Sequence, residues 1–156
     1  MRTVSSLLAA CGGFLLAVLW MDLIFDVQVL RHRDRAAELP DAVLASIATY
    51  YRRVTTTARP MGHLVGAVMS VALVASVAQL AFGRGPRGLA LAGLLLCAIP
   101  TLLALLRVVP NAVRLGTRSD PAGVQTDLAR SICKDHLICL AAILGFIVVQ
   151  LCTAAR

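Results

Sequence analysis

The sequence predicts an all-α protein, a four-transmembrane-helix bundle with a short amphipathic interfacial helix in its first loop. Three observations carry that reading. Four apolar stretches, near residues 4–30, 60–82, 88–110 and 131–153, occupy most of the 156 residues. Each is long enough to cross a hydrocarbon core of about 30 Å, which takes roughly 20 helical residues. Hydrophobic residues make up 59% of the chain and charged ones only 15%, against about half and about a quarter in a soluble domain. The connections are too short for a separate soluble domain, so residues 1–156 read as a single integral membrane domain.

The first stretch begins like a secretory signal, with Met1-Arg2 ahead of an apolar run, and Leu8-Ala9-Ala10-Cys11 imitates a lipoprotein cleavage box. The run before Cys11 is too short for a signal core and hydrophobicity continues to Leu30, so this is a spanning helix. In the first loop, Pro40-Asp41 starts a helix over about 41–57, in which Val43, Leu44, Ile47, Tyr51 and Val54 recur at helical spacing. Ser46, Thr49, Arg52 and Arg53 fall on its other face. The expectation is a helix lying at the interface with Tyr50 and Tyr51 near headgroup depth. Gly83-Arg84-Gly85-Pro86 is a tight turn between the second and third spans, and Asp120-Pro121 starts the last helix before it enters the membrane.

Small residues recur every four positions in three spans: Ala9, Gly13 and Ala17, then Gly62, Gly66 and Ser70, then Gly93, Cys97 and Thr101. That spacing lets helix backbones approach closely in lipid, within one chain or between subunits. Lys and Arg number ten beside the first and third loops (Arg31, Arg33, Arg35, Arg52, Arg53, Arg59, Arg114, Arg118, Arg130, Lys134) against four on the other side (Arg2, Arg84, Arg87, Arg156). The bias places the long loops in the cytoplasm and both termini outside, with a bacterial inner membrane as the expected location. The net charge of +7 then belongs to topology and to anionic lipid, not to nucleic acid, for which no basic helix or aromatic-basic surface is present. The five cysteines show no metal-ligand spacing, although Cys11 and Cys152 fall near one membrane face and could pair.

The ionisable and amide residues inside the spans gather toward one face. Asp22 and Asp26, one helical turn apart, lie about 12 Å and 6 Å inside the end of the first span at 1.5 Å per residue. His63 opens the second span, Arg107 closes the third with Pro110-Asn111 just after, and His136 lies about two turns into the fourth counted from Ser131. These six residues form a candidate buried polar cluster. The opposite half offers only Gln79, Gln150 and small hydroxyls. A carboxylate facing lipid is costly, so Asp22 is expected to pair, with Arg107 first and the histidines next. Asp26, His63 and Arg107 are close enough to the interface to snorkel instead.

From the second span onward the chain resembles the anthrone-oxygenase-like family of small four-helix membrane proteins. The resemblance rests on Tyr50-Tyr51 leading to Pro60, on Pro100 within the third span, on Val109-Pro110-Asn111-Ala112-Val113-Arg114-Leu115, and on His136, across about residues 50–150. It implies cofactor-independent oxidation of a lipophilic phenol, with Asn111 and His136 as polar contacts. The chain departs from the family where Asn111 stands alone and where Ile132, Cys133 and Lys134 precede His136.

Two functions follow. In the first, the protein is a structural or accessory subunit of a larger membrane complex, partnered by lipids and by other membrane subunits or further copies of itself. In the second it is an oxidoreductase, with His136 as general base and Arg107 or Asn111 stabilising an oxyanion in a pocket of a few hundred Å³. No nucleophile, phosphate-loop or metal motif appears, and no cofactor is expected. Haem ligated by His63 and His136, or a metal held by them with the two aspartates, is the minor alternative.

Overall fold

The computed structural model describes residues 2–32, 34, 37–83 and 85–155, apart from the side chains of Arg2 and Arg59. Of the basic residues counted for topology, Arg33, Arg35, Arg84 and Arg156 lie outside the described residues. Helix α1 (Arg2–Asp26) ends in a 3₁₀ turn, Val27–Arg31; α2 (Asp41–Arg52) runs into a wide π-helical turn, Arg53–Thr57. Helices α3 (Arg59–Phe82) and α4 (Arg87–Leu103) form a hairpin, and a second π turn, Ala104–Val108, joins α4 to α5 (Val109–Thr117). Helix α6 (Ala122–Ala154) completes the chain, and among the described residues there is no strand. Four helical stretches are long and apolar enough to cross a membrane: Thr3–Arg31, Pro60–Phe82, Arg87–Thr117 and Ala122–Ala154.

Both π turns precede a proline. Pro60 and Pro110 have no N–H to donate, and a proline ring clashes with the carbonyl four residues back. The turns before them widen, so that Ala58 N–H donates to the Arg53 carbonyl and Val109 N–H to the Ala104 carbonyl, each five residues back.

The spans share a common frame. Uncharged segments run over residues 3–21, 64–82, 88–106 and 137–154, each about 27–29 Å long at 1.5 Å per residue and so close to the hydrocarbon thickness. At the arginine-rich end they terminate at Asp22, His63, Arg107 and His136. These residues therefore mark one common boundary, the arginine-rich end of the charge-free segments. Helix α6, at 33 residues, is about 50 Å long and projects well beyond that boundary.

The projecting halves fold into a second layer. Leu44, Ile47, Ala48 and Tyr51 of α2 pack with Ala112 and Leu115 of α5 and with Leu128, Ala129, Ile132 and Cys133 of α6 in one buried core. The amphipathic helix of the first loop thus spends its apolar face on protein rather than on lipid. Gly116 makes the α2–α5 contact close, since a Cβ there would stand 3.0 Å from the Arg52 backbone nitrogen. Arg130 fastens the loop ahead of α2 by donating to the Asp34 and Ala37 carbonyls at 2.8 and 2.9 Å. Thr126 Oγ1 accepts from Leu39 N–H at 3.0 Å, and Arg118 pairs with Asp41 across the α2 N-terminus.

Within the membrane, α1 and α4 each touch both α3 and α6, closing a ring of four. The small-residue stripes divide between inside and outside. Gly93 and Cys97 are buried, whereas Gly13, Ala17, Gly62, Gly66 and Ser70 are exposed. On α1 it is Gly12 that meets α6, where a Cβ would lie 2.7 Å from Ile147 Cγ1. At the arginine-poor end, Gln79 Nε2 donates to Ser5 Oγ at 3.1 Å and to Gln150 Oε1 at 3.3 Å, tying α3, α1 and α6 together. All five cysteines are unpaired, Cys11 being buried and Cys152 exposed.

Candidate functional site

At the boundary level a chain of polar side chains crosses from α2 through α1 to α6. Asp26 is fully buried. Tyr51 Oη donates to its Oδ1 at 2.7 Å, and Nδ1 of His136 faces its Oδ2 at 2.6 Å. One turn earlier on the same face of α1, Asp22 Oδ1 accepts from Tyr50 Oη at 2.5 Å. His136 Nε2 stands 4.0 Å from Asp22 Oδ2, beyond hydrogen-bond reach. Tyr50 is positioned from behind by Phe25, with ring centroids 4.1 Å apart and 11° between planes, and meets Tyr51 edge-on at 5.3 Å.

This arrangement follows from local sequence. Asp22 and Asp26 share a helix face by their four-residue spacing, and the adjacent tyrosines reach the two carboxylates because α2 passes directly under the end of α1. Burial pushes both phenols well above the ordinary tyrosine range, reinforced at Tyr50 by its hydrogen bond to Asp22 and at Tyr51 by the Asp26 charge. Both phenols therefore remain donors, as a carboxylate held out of water requires.

Sequence reasoning gave the tyrosines a depth but no partners; the structure turns both hydroxyls inward to the aspartates. Arg107 is also redirected. It does not pair with Asp22 but places Nε 3.0 Å from Oδ2 of Asp135, which is 1% exposed, and donates from Nη2 to Ser131 Oγ at 3.1 Å. Asp135 was overlooked, although the ends of the uncharged segments give the signal: a cation closing one segment at the level where another begins needs a carboxylate there. His63 is exposed on α3 and stays out of the network, and Asn111 lies half-buried on α5 and also takes no part. Of the six residues expected to cluster, the structure brings together Asp22, Asp26 and His136; Arg107 forms its own pair beside them. Exposed His63 does not join buried His136 as a second ligand. Among the described residues, no group of three or more His, Cys, Asp or Glu side chains is placed to hold a metal ion.

Above Asp22 and His136 lies an apolar cavity of about 100 Å³ lined from all four spans, by Leu19, Met69, Pro100 and Phe146 among others. It is smaller than the roughly 300–1,000 Å³ of sites that take drug-sized ligands.

The fold and this network define a four-span membrane protein whose buried polar groups lock its own helices together. Residues 2–154 match the SHR3 chaperone family, described as ER membrane protein SH3, and the chain belongs to that family. No curated protein and no solved structure shows a significant match to it. Family membership overturns the resemblance to anthrone oxygenases: the Pro-Asn and histidine positions that carried it are too few to define a family, whereas the match to the chaperone family runs through all four spans. It also overturns the expectation of a bacterial inner membrane, since the family is one of the ER membrane. The charge bias behind that expectation reports the side of a membrane, not which membrane. A multi-pass membrane protein of this family is what remains.

Proposed function

We propose that this protein is a packaging chaperone of the ER membrane, which attends other polytopic membrane proteins and catalyses no reaction of its own. The observation that carries the reading is the family match over residues 2–154. The site supports it, because the Tyr–Asp–His chain uses its groups on one another and joins α1, α2 and α6 as a clamp. The outer surface supports it too. Helix α3 is the least enclosed span, with 11% of its apolar window buried, and it exposes Leu64, Val71, Val74 and Val77 beside Gly62, Gly66 and Ser70. A face that mixes aliphatic and small residues suits transient contact with the helices of other membrane proteins. On this reading the arginine-rich layer faces the cytoplasm, by the same charge bias.

The test is photocrosslinking from a probe at Val74 in ER-derived membranes during synthesis of polytopic proteins. The expected result is transient crosslinks to newly made chains that fade as those chains mature. A permanent stoichiometric partner would instead make the protein a subunit, and no crosslink to any membrane protein would remove the chaperone reading.

A further inference from the structure

A groove of about 770 Å³ runs between the 3₁₀ turn after α1 and the flank of α6, at the level where the spans lose their charge-free character. Among the described residues, three cations line it: Arg107, Arg130 and Lys134. His32 also lines it, and among the described residues Asp127 is its one lining carboxylate. We infer that this groove binds the phosphate of an anionic phospholipid headgroup.

Depth is the first argument. Arg107 directly follows the uncharged segment 88–106, and Lys134 lies just ahead of the uncharged segment 137–154, so both stand at headgroup height beside the hydrocarbon boundary. Anionic lipid attracts basic residues at that height, and basic pockets between membrane helices are a recognised form of headgroup site. Chemistry is the second. Ser131 Oγ accepts from Arg107 Nη2, which leaves the serine proton free to donate to a phosphate oxygen. Asp135 forms an ion pair with Arg107 at Nε, 3.0 Å away, which holds the guanidinium beside the groove that it lines. Arg130 donates from Nη2 to the carbonyls of Asp34 and Ala37 and stands in the same wall.

The third argument is the division between polar and apolar. Leu30 and Leu137 line the same groove and are 54% and 38% exposed, which offers aliphatic surface to acyl chains beside the cationic wall. Asp127 lies one helical turn before Ser131 on α6, farther from the membrane, so it does not sit at the phosphate level. A free phosphate ion would use the cations and the serine but not the leucines, and that distinguishes the two sources of the same chemistry.

The experiment is native mass spectrometry of the full chain in mild detergent, offered phosphatidylserine and phosphatidylcholine together, with melting temperature recorded for each variant. The expected result is preferential retention of one phosphatidylserine. Lys134→Gln should reduce that retention about fivefold, the effect of one charge near a lipid surface, and Lys134→Glu should reduce it further. Arg87→Gln, at the other end of the molecule, should leave it unchanged. Lys134 is exposed, so these variants should keep the wild-type melting temperature. Equal retention of the two lipids, or no effect of Lys134→Glu, would overturn the assignment. Displacement of the lipid by millimolar inorganic phosphate would overturn it in favour of a soluble anion.

Discussion

Nδ1 of His136 on the last span lies 2.6 Å from Oδ2 of Asp26 at the end of the first, with both side chains buried. The same carboxylate accepts Tyr51 Oη on its other oxygen. One residue therefore joins three helices, and the contact between α1 and α6 is the most extensive in the bundle.

Removing that carboxylate leaves a histidine and a phenol without partners in a dry interior. Asp26→Ala should destabilise the protein by about 3–5 kcal/mol, the usual penalty for breaking a buried pair from one side. Asp26→Asn, which keeps a hydrogen-bonding group, should cost less. Thermal unfolding in detergent measures both, and an unchanged melting temperature in Asp26→Ala would contradict the clamp.

Tyr50 and Tyr51 are the only two tyrosines, so tyrosinate absorbance reports the site alone. Their folded-state pKa values are raised, so the stability they contribute is present below the unfolded value of about 10 and is lost as pH rises past it. Absorbance should stay flat above pH 10 in the folded protein and rise only with unfolding. A smooth titration near pH 10 with the fold intact would show that the phenols are not held by the aspartates.

The Arg107–Asp135 pair behaves differently because Arg107 is 52% exposed and Asp135 is 1% exposed. Arg107→Ala should cost about 1–2 kcal/mol, less than a fully buried pair because solvent screens the arginine. Arg107→Ala combined with Asp135→Asn should recover much of the loss, since the uncompensated carboxylate is the source of the cost. A double variant as unstable as the single one would argue against this coupling.

Two glycines provide an internal contrast. Gly116→Ala pushes a methyl against α2 backbone at Arg52, where no side chain is available to rotate away, and should cost about 1–3 kcal/mol. Gly13→Ala places its methyl where nothing lies within 4 Å and should be neutral or slightly stabilising, because alanine is the better helix former. Melting temperatures of the two variants compare them directly, and equal effects would mean that the α2–α5 approach is looser than described.

Much of the architecture was legible along the chain. The run lengths of apolar residues determined that the protein is helical and crosses a membrane four times, because hydrocarbon demands about 20 residues of internally hydrogen-bonded backbone. The pattern Val43, Leu44, Ile47, Tyr51 determined that the first loop holds an amphipathic helix. Four-residue spacing determined that Asp22 and Asp26 share a face. What tertiary structure alone decided is where each face points. A helix period relates residues within one element, but the Asp26–His136 bond closes over 110 residues and the Tyr51–Asp26 bond over 25. Such contacts depend on how helices rotate about their axes as they pack, and in lipid that rotation is set by close fit rather than by hydrophobicity. The same rotation buries Gly12 instead of Gly13, turns His63 and the Gly62–Gly66 stripe outward, and gives Arg107 to Asp135.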